Sequence, residues 1–370
     1  MIDSIKLAIP TNQVTFNSYT GYKGVSEDDL KTLIDNNGYL KGAEYVHYEK
    51  EYISNQGYLP AVGVCAYLQH QPMLWLRFSA PKLLFKTNMI ELEEADFNNL
   101  VAKIRSTAST LGIDIPLKAI EDSCIWEVHV GKNVDLNPTG MSCECVLSAL
   151  NKLAFDARFN IRKGNYINFF GNTLNNIQLT YEEGEKFDIF CKSFGYCCYN
   201  KTQEVIKDSY GKDFIKHNPR FNNVLRLEYR LFFSESVKRA FSKVGIPQNI
   251  TFKDFFTDDN FQKLNVFIWT KLMADKIIWL SFLGNDPMVF LSKMKTLNIK
   301  PVQRLKLLGV YFLLLTEGSC RTIKTLFPAK SNIVRRLEKQ MEDIQELASH
   351  NLLKAFKYIE AEIKRNKPLI

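Results

Sequence analysis

The sequence predicts an α+β protein, with a strand-rich mixed sheet over residues 1–245 and a mostly helical part over residues 246–370. Three observations point there. Short β-branched and aromatic runs, bounded by Pro, Gly, Asn or Asp, recur through the first part. Apolar residues at helical spacing dominate the second. The composition, 46% hydrophobic and 12% aromatic over 370 residues, is that of a chain able to bury a large core.

Taken in order, the strands are "SIKLAI", "AVGVCAYL" and "MLWLRFSA", then "CIWEVHVG", "YINFFG" and "VLRLEYRLFF". Between them, "EADFNNLVAKIRSTASTLG" reads as a helix, with acids in its first turn and a glycine at its end. "SCECVLSALNKLAF" is a second helix of the first part. The segment "VGIPQNITFKDFF" reads as the link, which places the boundary near residue 245. Beyond it come four helical stretches: "FQKLNVFIWTKLMADKIIWLSFLG", "VQRLKLLGVYFLLLTEG", "CRTIKTLF" and a long one from Asn332 to Arg365. No internal repeat or low-complexity tract interrupts them.

Charge separates the two parts. Residues 291–370 hold 16 Lys and Arg against 7 Asp and Glu, a net of +9, while the whole chain carries +8. Residues 1–290 therefore come out near neutral, and a basic tail suggests an anionic partner, nucleic acid first. Within it, "CRTIKTLFPAKSNIVRRLEKQ" has the outline of a helix-turn-helix, with Lys330, Arg335, Arg336 and Lys339 as candidate DNA-binding residues. An ordinary helical hairpin has the same outline. The opening "MIDSIKLAIP" lacks the layout of a secretion signal, and the apolar run "LLGVYFLLL" is shorter than the roughly 20 residues a bilayer requires. A cytoplasmic chain with reduced thiols and no membrane partner is expected. A zinc site from Cys143, Cys145 and His129 lacks a second paired-ligand motif.

Strand side chains alternate between faces, and three strands carry a polar row against an apolar one. Arg226, Glu228 and Arg230 share one face of "LRLEYRLFF". Glu127 and His129 share one face of "WEVHVGK". Cys197, Tyr199 and Lys201 share one face of "CCYNK". A half-exposed antiparallel sheet gives the same alternation. The contents of the rows point further. Two carboxylates and an imidazole, Glu127, Glu228 and His129, can hold a hard divalent cation such as Mg²⁺ or Mn²⁺. A tyrosine hydroxyl titrates near ~10 and needs such electrostatic help to attack phosphorus. Lys201, Arg226 and Arg230 can bind phosphate oxygens. If the three strands are neighbours, the set describes a metal-assisted tyrosine that forms a 5′-phosphotyrosyl bond.

The order of motifs resembles the phage replication initiators of the gene II/X type, the rolling-circle nicking-joining endonucleases of filamentous phages, which are similar in turn to the plasmid initiators of the Rep_trans group. The motifs are "MIDSIKL", "LRFSAPKLLFKTNMIEL", "CIWEVHVGKN", "YCCYNKTQEV", "VLRLEYRLFF" and the helical ending "LGVYFLLLTEGSCRTIKTLFPAKSNIVRRLEKQM". The resemblance implies that Tyr199 is the nucleophile, Lys201 its phosphate-side partner, and Glu228 a metal ligand flanked by Arg226 and Arg230. Glu127 takes a position where Asp is more usual, and Ile125 stands where Arg is common. Tyr196, three residues from Tyr199, reads as core or as a second-tyrosine candidate. The resemblance further implies a nickase domain that cuts and rejoins the plus strand at a phage origin, on double- and single-stranded DNA, with host helicase and polymerase as partners. A relaxase binding metal through His-hydrophobic-His would need a histidine pattern that the five histidines never form. A tyrosine recombinase would be mostly helical. A non-enzymatic DNA-binding replication or repressor protein would need only the basic tail.

Overall fold

The computed structural model describes residues 1–17, 22–23, 28, 47–48, 58–65, 72–153, 160–163, 166–167, 186–190, 194–207, 209–273, 280, 287–296, 298–317 and 351–369. Lys330, Arg335, Arg336 and Lys339, and with them the expected helix-turn-helix, lie outside the described residues.

The architecture is α+β, with a helical C-terminal region. In chain order the strands are β1 (Ile2–Pro10), β2 (Thr15–Phe16), β3 (Tyr22–Lys23), β4 (His47–Tyr48), β5 (Ala61–Cys65), β6 (Met73–Ser79) and β7 (Ile113–Asp114). They continue with β8 (Cys124–Asp135), β9 (Asn160–Lys163), β10 (Tyr166–Ile167), β11 (Lys186–Phe190), β12 (Phe194–Asn200) and β13 (Val224–Leu231). Nine of them form one sheet in the order β10-β9-β11-β12-β13-β8-β1-β6-β5. Every pairing described in that sheet is antiparallel, so the sheet is antiparallel where a mixed one was expected.

The three strands with polar rows, β12, β13 and β8, are adjacent, and β1 comes next. The apolar rows explain why. Leu225, Leu227, Tyr229 and Leu231 of β13 are all at most 3% exposed, as are Val128 and Val130 of β8. Burial of such side chains is worth about 1.5–3 kcal/mol each. The helices Ser234–Lys243 and Asp258–Met273 pack against β8 and β13, and Asn351–Arg365 packs on Asp258–Met273. One hydrophobic core runs from Ile2 through Leu227 to Ile363, so it is continuous across the expected boundary near residue 245. That boundary falls just after helix Ser234–Lys243, where Gly245 takes a positive φ of 76°. Among the described residues no helix is long and apolar enough to cross a membrane.

Two irregularities interrupt the β1–β8 ladder. Ile2 faces Val130 but Ser4 faces His129, so β1 carries one extra residue, Asp3. Lys6 faces Glu127 but Leu7 faces Ile125, so β8 carries one extra residue, Trp126. Such bulges re-aim side chains and are frequent near functional sites. β1 then ends: the amino group of Met1 donates to Gly131 O at 3.0 Å. One step on, the Glu91 carboxylate takes the place of a strand, accepting from Asn133 N at 2.5 Å and from Lys132 Nζ at 2.6 Å. The C-terminal segment closes over this point. Lys367 O accepts from Lys132 Nζ at 2.5 Å, and Leu369 N donates to Glu91 at 3.0 Å.

Candidate metal and tyrosine site

Register brings the polar rows together on one face. Tyr199 opposes Arg226, Cys197 opposes Glu228, and Gly195 opposes Arg230. On the other side Arg226 opposes Asn133, Glu228 opposes Gly131, and Arg230 opposes His129. Glu228 is at the centre. Its Oε1 accepts from the Tyr199 hydroxyl at 2.6 Å and from Arg226 Nε at 3.4 Å. Its Oε2 accepts from Arg230 Nε at 2.8 Å and Nη2 at 2.5 Å. Burial alone would raise its pKa, but Arg230, Arg226 and the Tyr199 hydroxyl outweigh that and hold it well below the usual carboxylate range. Tyr199 is pushed the other way. Burial, then the adjacent Glu228 and Asp3 carboxylates, raise its phenol well above the usual value, so at rest it is a neutral hydroxyl.

Asp3, His129 and Glu228 place one donor atom each within 4.8 Å of one another, the only such group among the described residues. The set of two carboxylates and an imidazole suits Mn²⁺ and, through the oxygens, Mg²⁺. A further observation fits a ligand here. His129 Nε2 is buried without a hydrogen-bond partner, in a residue 9% exposed. It stands 3.0 Å from Glu127 Oε1. With that carboxylate beside it and Asp3 and Glu228 in the same 4.8 Å group, the imidazole faces oxygens that could share a cation with it.

The group differs from the expected set at one position: Glu228 and His129 are in it, and Asp3 stands in it where Glu127 was expected. Glu127 is instead held by Arg77 at 2.8 Å. Burial alone would raise its pKa, but His129 and Arg77 outweigh that and lower it. Asp3 has no alternation to announce it, because a bulge and not a regular register turns it toward Glu228. The Cys143, Cys145 and His129 set, which the sequence already disfavoured, forms no such group among the described residues: Cys143 is buried, its thiol pushed up by that burial, and Cys145 is exposed.

The basic residues sort differently from expectation. Arg226 is 0% exposed and its donors are committed, to Asp3 Oδ1 at 2.9 Å, to Asn133 Oδ1 at 3.1 Å and to Glu228. It braces the two acidic ligands and does not face an incoming phosphate. Its guanidinium lies over Gly131, where a Cβ would stand 2.6 Å from Nη2. Arg230, with 25% of its side chain exposed, is the arginine at the open edge. Lys201 is not on the strand. β12 ends at Asn200, whose side chain caps the next helix by accepting from Gln203 N at 3.0 Å, and Lys201 opens that helix. Lys201 is fully buried, pairs with Glu204 at 2.5 Å, and has its ammonium 5.5 Å from the centre of the Tyr199 ring. Burial lowers its pKa, and Glu204 and Asp3 partly offset that. Tyr196 is a core residue, 3% exposed.

No protein-family model, no curated protein and no solved structure matches this chain.

Proposed function

We propose that the chain is a rolling-circle replication initiator, a metal-assisted endonuclease that nicks and rejoins one DNA strand through Tyr199. One observation carries this reading. The Tyr199 hydroxyl is 2.6 Å from Glu228, and Glu228 shares a 4.8 Å cluster with Asp3 and His129. Nucleophile and metal-capable group are thus one constellation.

In this reading the Tyr199 oxygen attacks the scissile phosphorus, a tyrosine–phosphate bond to the 5′ side forms, and the bond to the 3′ oxygen breaks. The reverse step rejoins the strand with no external energy source. A bound Mg²⁺ or Mn²⁺ supplies charge neutralisation at the phosphate and favours the phenolate. Glu228 orients the hydroxyl, Arg226 fixes Glu228 and Asp3, and the half-buried Arg230, which holds Glu228 from the other side, is the arginine that a phosphate oxygen would approach. The substrates are phage origin DNA in double- and single-stranded form, host helicase and polymerase extend the free 3′ end, and the setting is the bacterial cytoplasm. The basic stretch with Lys330, Arg335, Arg336 and Lys339 serves duplex binding.

The test is incubation of purified protein with supercoiled plasmid carrying the origin, with and without Mg²⁺. Open circles that need the metal and carry protein on the 5′ end are expected, and Tyr199→Phe is expected to remove them while origin binding survives. Metal-independent nicking, or full nicking by Tyr199→Phe, overturns the reading. No nicking under any condition, with binding intact, leaves a DNA-binding replication or repressor protein in which Arg226, Asp3 and Glu228 are a structural ion cluster.

A further inference from the structure

The sheet face that carries the site does not stop at His129. His129 opposes Ser4, which opposes Ser79, and in the next row Glu127 opposes Lys6, which opposes Arg77. The bulge in β8 adds Trp126 to this row beside Glu127. Lys6 Nζ lies 4.3 Å from the centre of the Trp75 ring and 5.4 Å from that of Trp126. The two indoles differ. Trp75 is 3% exposed and belongs to the packing, whereas Trp126 is half-buried. Arg77 has 52% of its side chain exposed and is tethered to Glu127 at 2.8 Å. Among the described residues the row thus holds a half-buried indole, Lys6, Arg77 and the Glu127 carboxylate. It is the row next to His129 along β8, two residues or about 6.6 Å away at roughly 3.3 Å per residue.

We infer that Trp126, Lys6 and Arg77 form a seat for an unpaired DNA nucleotide, its base stacked on the half-buried Trp126 ring and its phosphate on Arg77. An indole at the end of a cationic track is how strands are gripped without reading sequence, because every base offers a π-face. A paired base cannot stack on a side chain that stands in a sheet face, so the seat selects a melted strand over a duplex. Lys6, held between two rings by cation–π contact, keeps Trp126 in place and adds positive charge. This rests on the reading of the face as a strand-transfer site.

The experiment measures binding of a short labelled single-stranded oligonucleotide, and of the duplex of the same sequence, by fluorescence anisotropy with EDTA present to prevent cleavage. Trp126→Ala is expected to weaken single-strand binding on the order of tenfold and to leave duplex binding unchanged. Trp126→Phe, which keeps an aromatic face, is expected to stay within about threefold of the native protein. Arg77→Gln, at a half-exposed position, is expected to flatten the log–log salt dependence of single-strand binding by about 0.7. Native affinity and slope in both Trp126→Ala and Arg77→Gln overturn the inference, as does equal weakening of single-strand and duplex binding by Trp126→Ala. Plasmid nicking by Tyr199→Phe addresses the reaction alone: it removes the strand-transfer reading without altering these affinities, so the two failures are told apart.

Discussion

Replacing Arg226 by Met tests whether this guanidinium is the keystone of the acidic cluster. The native side chain is 0% exposed, and it lies 2.9 Å from Asp3, 3.4 Å from Glu228 and 3.9 Å from Glu91. At an effective dielectric of about 20, one unit pair at 2.9 Å attracts with roughly 6 kcal/mol before any desolvation is counted. Met fills similar space but leaves three buried carboxylates facing one another. Removing one partner of a buried pair costs about 3–5 kcal/mol, and a loss in that range is expected here. The assay is urea unfolding followed by tryptophan fluorescence, with and without Mg²⁺. Asp3 and Glu228 are both Arg226 partners and candidate metal ligands, so a divalent cation should recover part of the loss in Arg226→Met and add less to the native protein. A loss below about 1 kcal/mol refutes the keystone role. A loss of the expected size with no selective rescue by Mg²⁺ refutes the idea that guanidinium and cation draw on the same carboxylates.

Gly131→Ala should destabilise by about 1–3 kcal/mol, because the new methyl meets a guanidinium fixed by three partners; thermal melting checks it. Asp3→Asn should shift the Mg²⁺ dependence of nicking to higher concentration, on the order of tenfold, while Glu127→Gln shifts it far less; the metal titration separates the two ligand sets. Glu91, Glu127 and Glu228 all have folded pKa values below the ordinary one, so each contributes stability that is complete above about pH 4.3 and is lost as pH falls through its folded value. Acid melts of Glu228→Gln should accordingly show a shallower decline below about pH 4 than the native protein.

Alternation made the polar rows of β12, β13 and β8 legible, since Glu228 and Arg230 emerge from counting by twos. Their adjacency was not legible, because strand order depends on which apolar rows share helices, and no local pattern encodes that. Asp3 and Trp126 were missed for a common reason: each is the extra residue of a bulge, where counting by twos breaks down. Lys201 was misplaced although a local signal existed. Asn200 with Gln203 three residues on is a helix cap, and it ends the strand before Lys201. The burial of Arg226 also had a sign in the chain, for Gly131 in "HVGKN" leaves a gap that a strand interior ordinarily fills. The boundary near residue 245 reflects a real change in composition, yet the later helices complete the core of the earlier sheet.

The bonds behind the site span nearly the whole chain. Arg226 to Asp3 crosses 223 positions, Lys132 to Lys367 crosses 235, and Glu91 to Leu369 crosses 278. Contacts of such separation form late, since loop-closure entropy is spent before they return anything. A nascent chain on the ribosome therefore has Asp3 long before it has Glu228, and holds no cation-ready cluster until β13 has emerged and docked. The brace at Glu91 waits longer still, for Leu369. In the proposed reading, competence to cut therefore arrives only once β13 has docked, and a chain stalled before that point would leave the DNA around it intact.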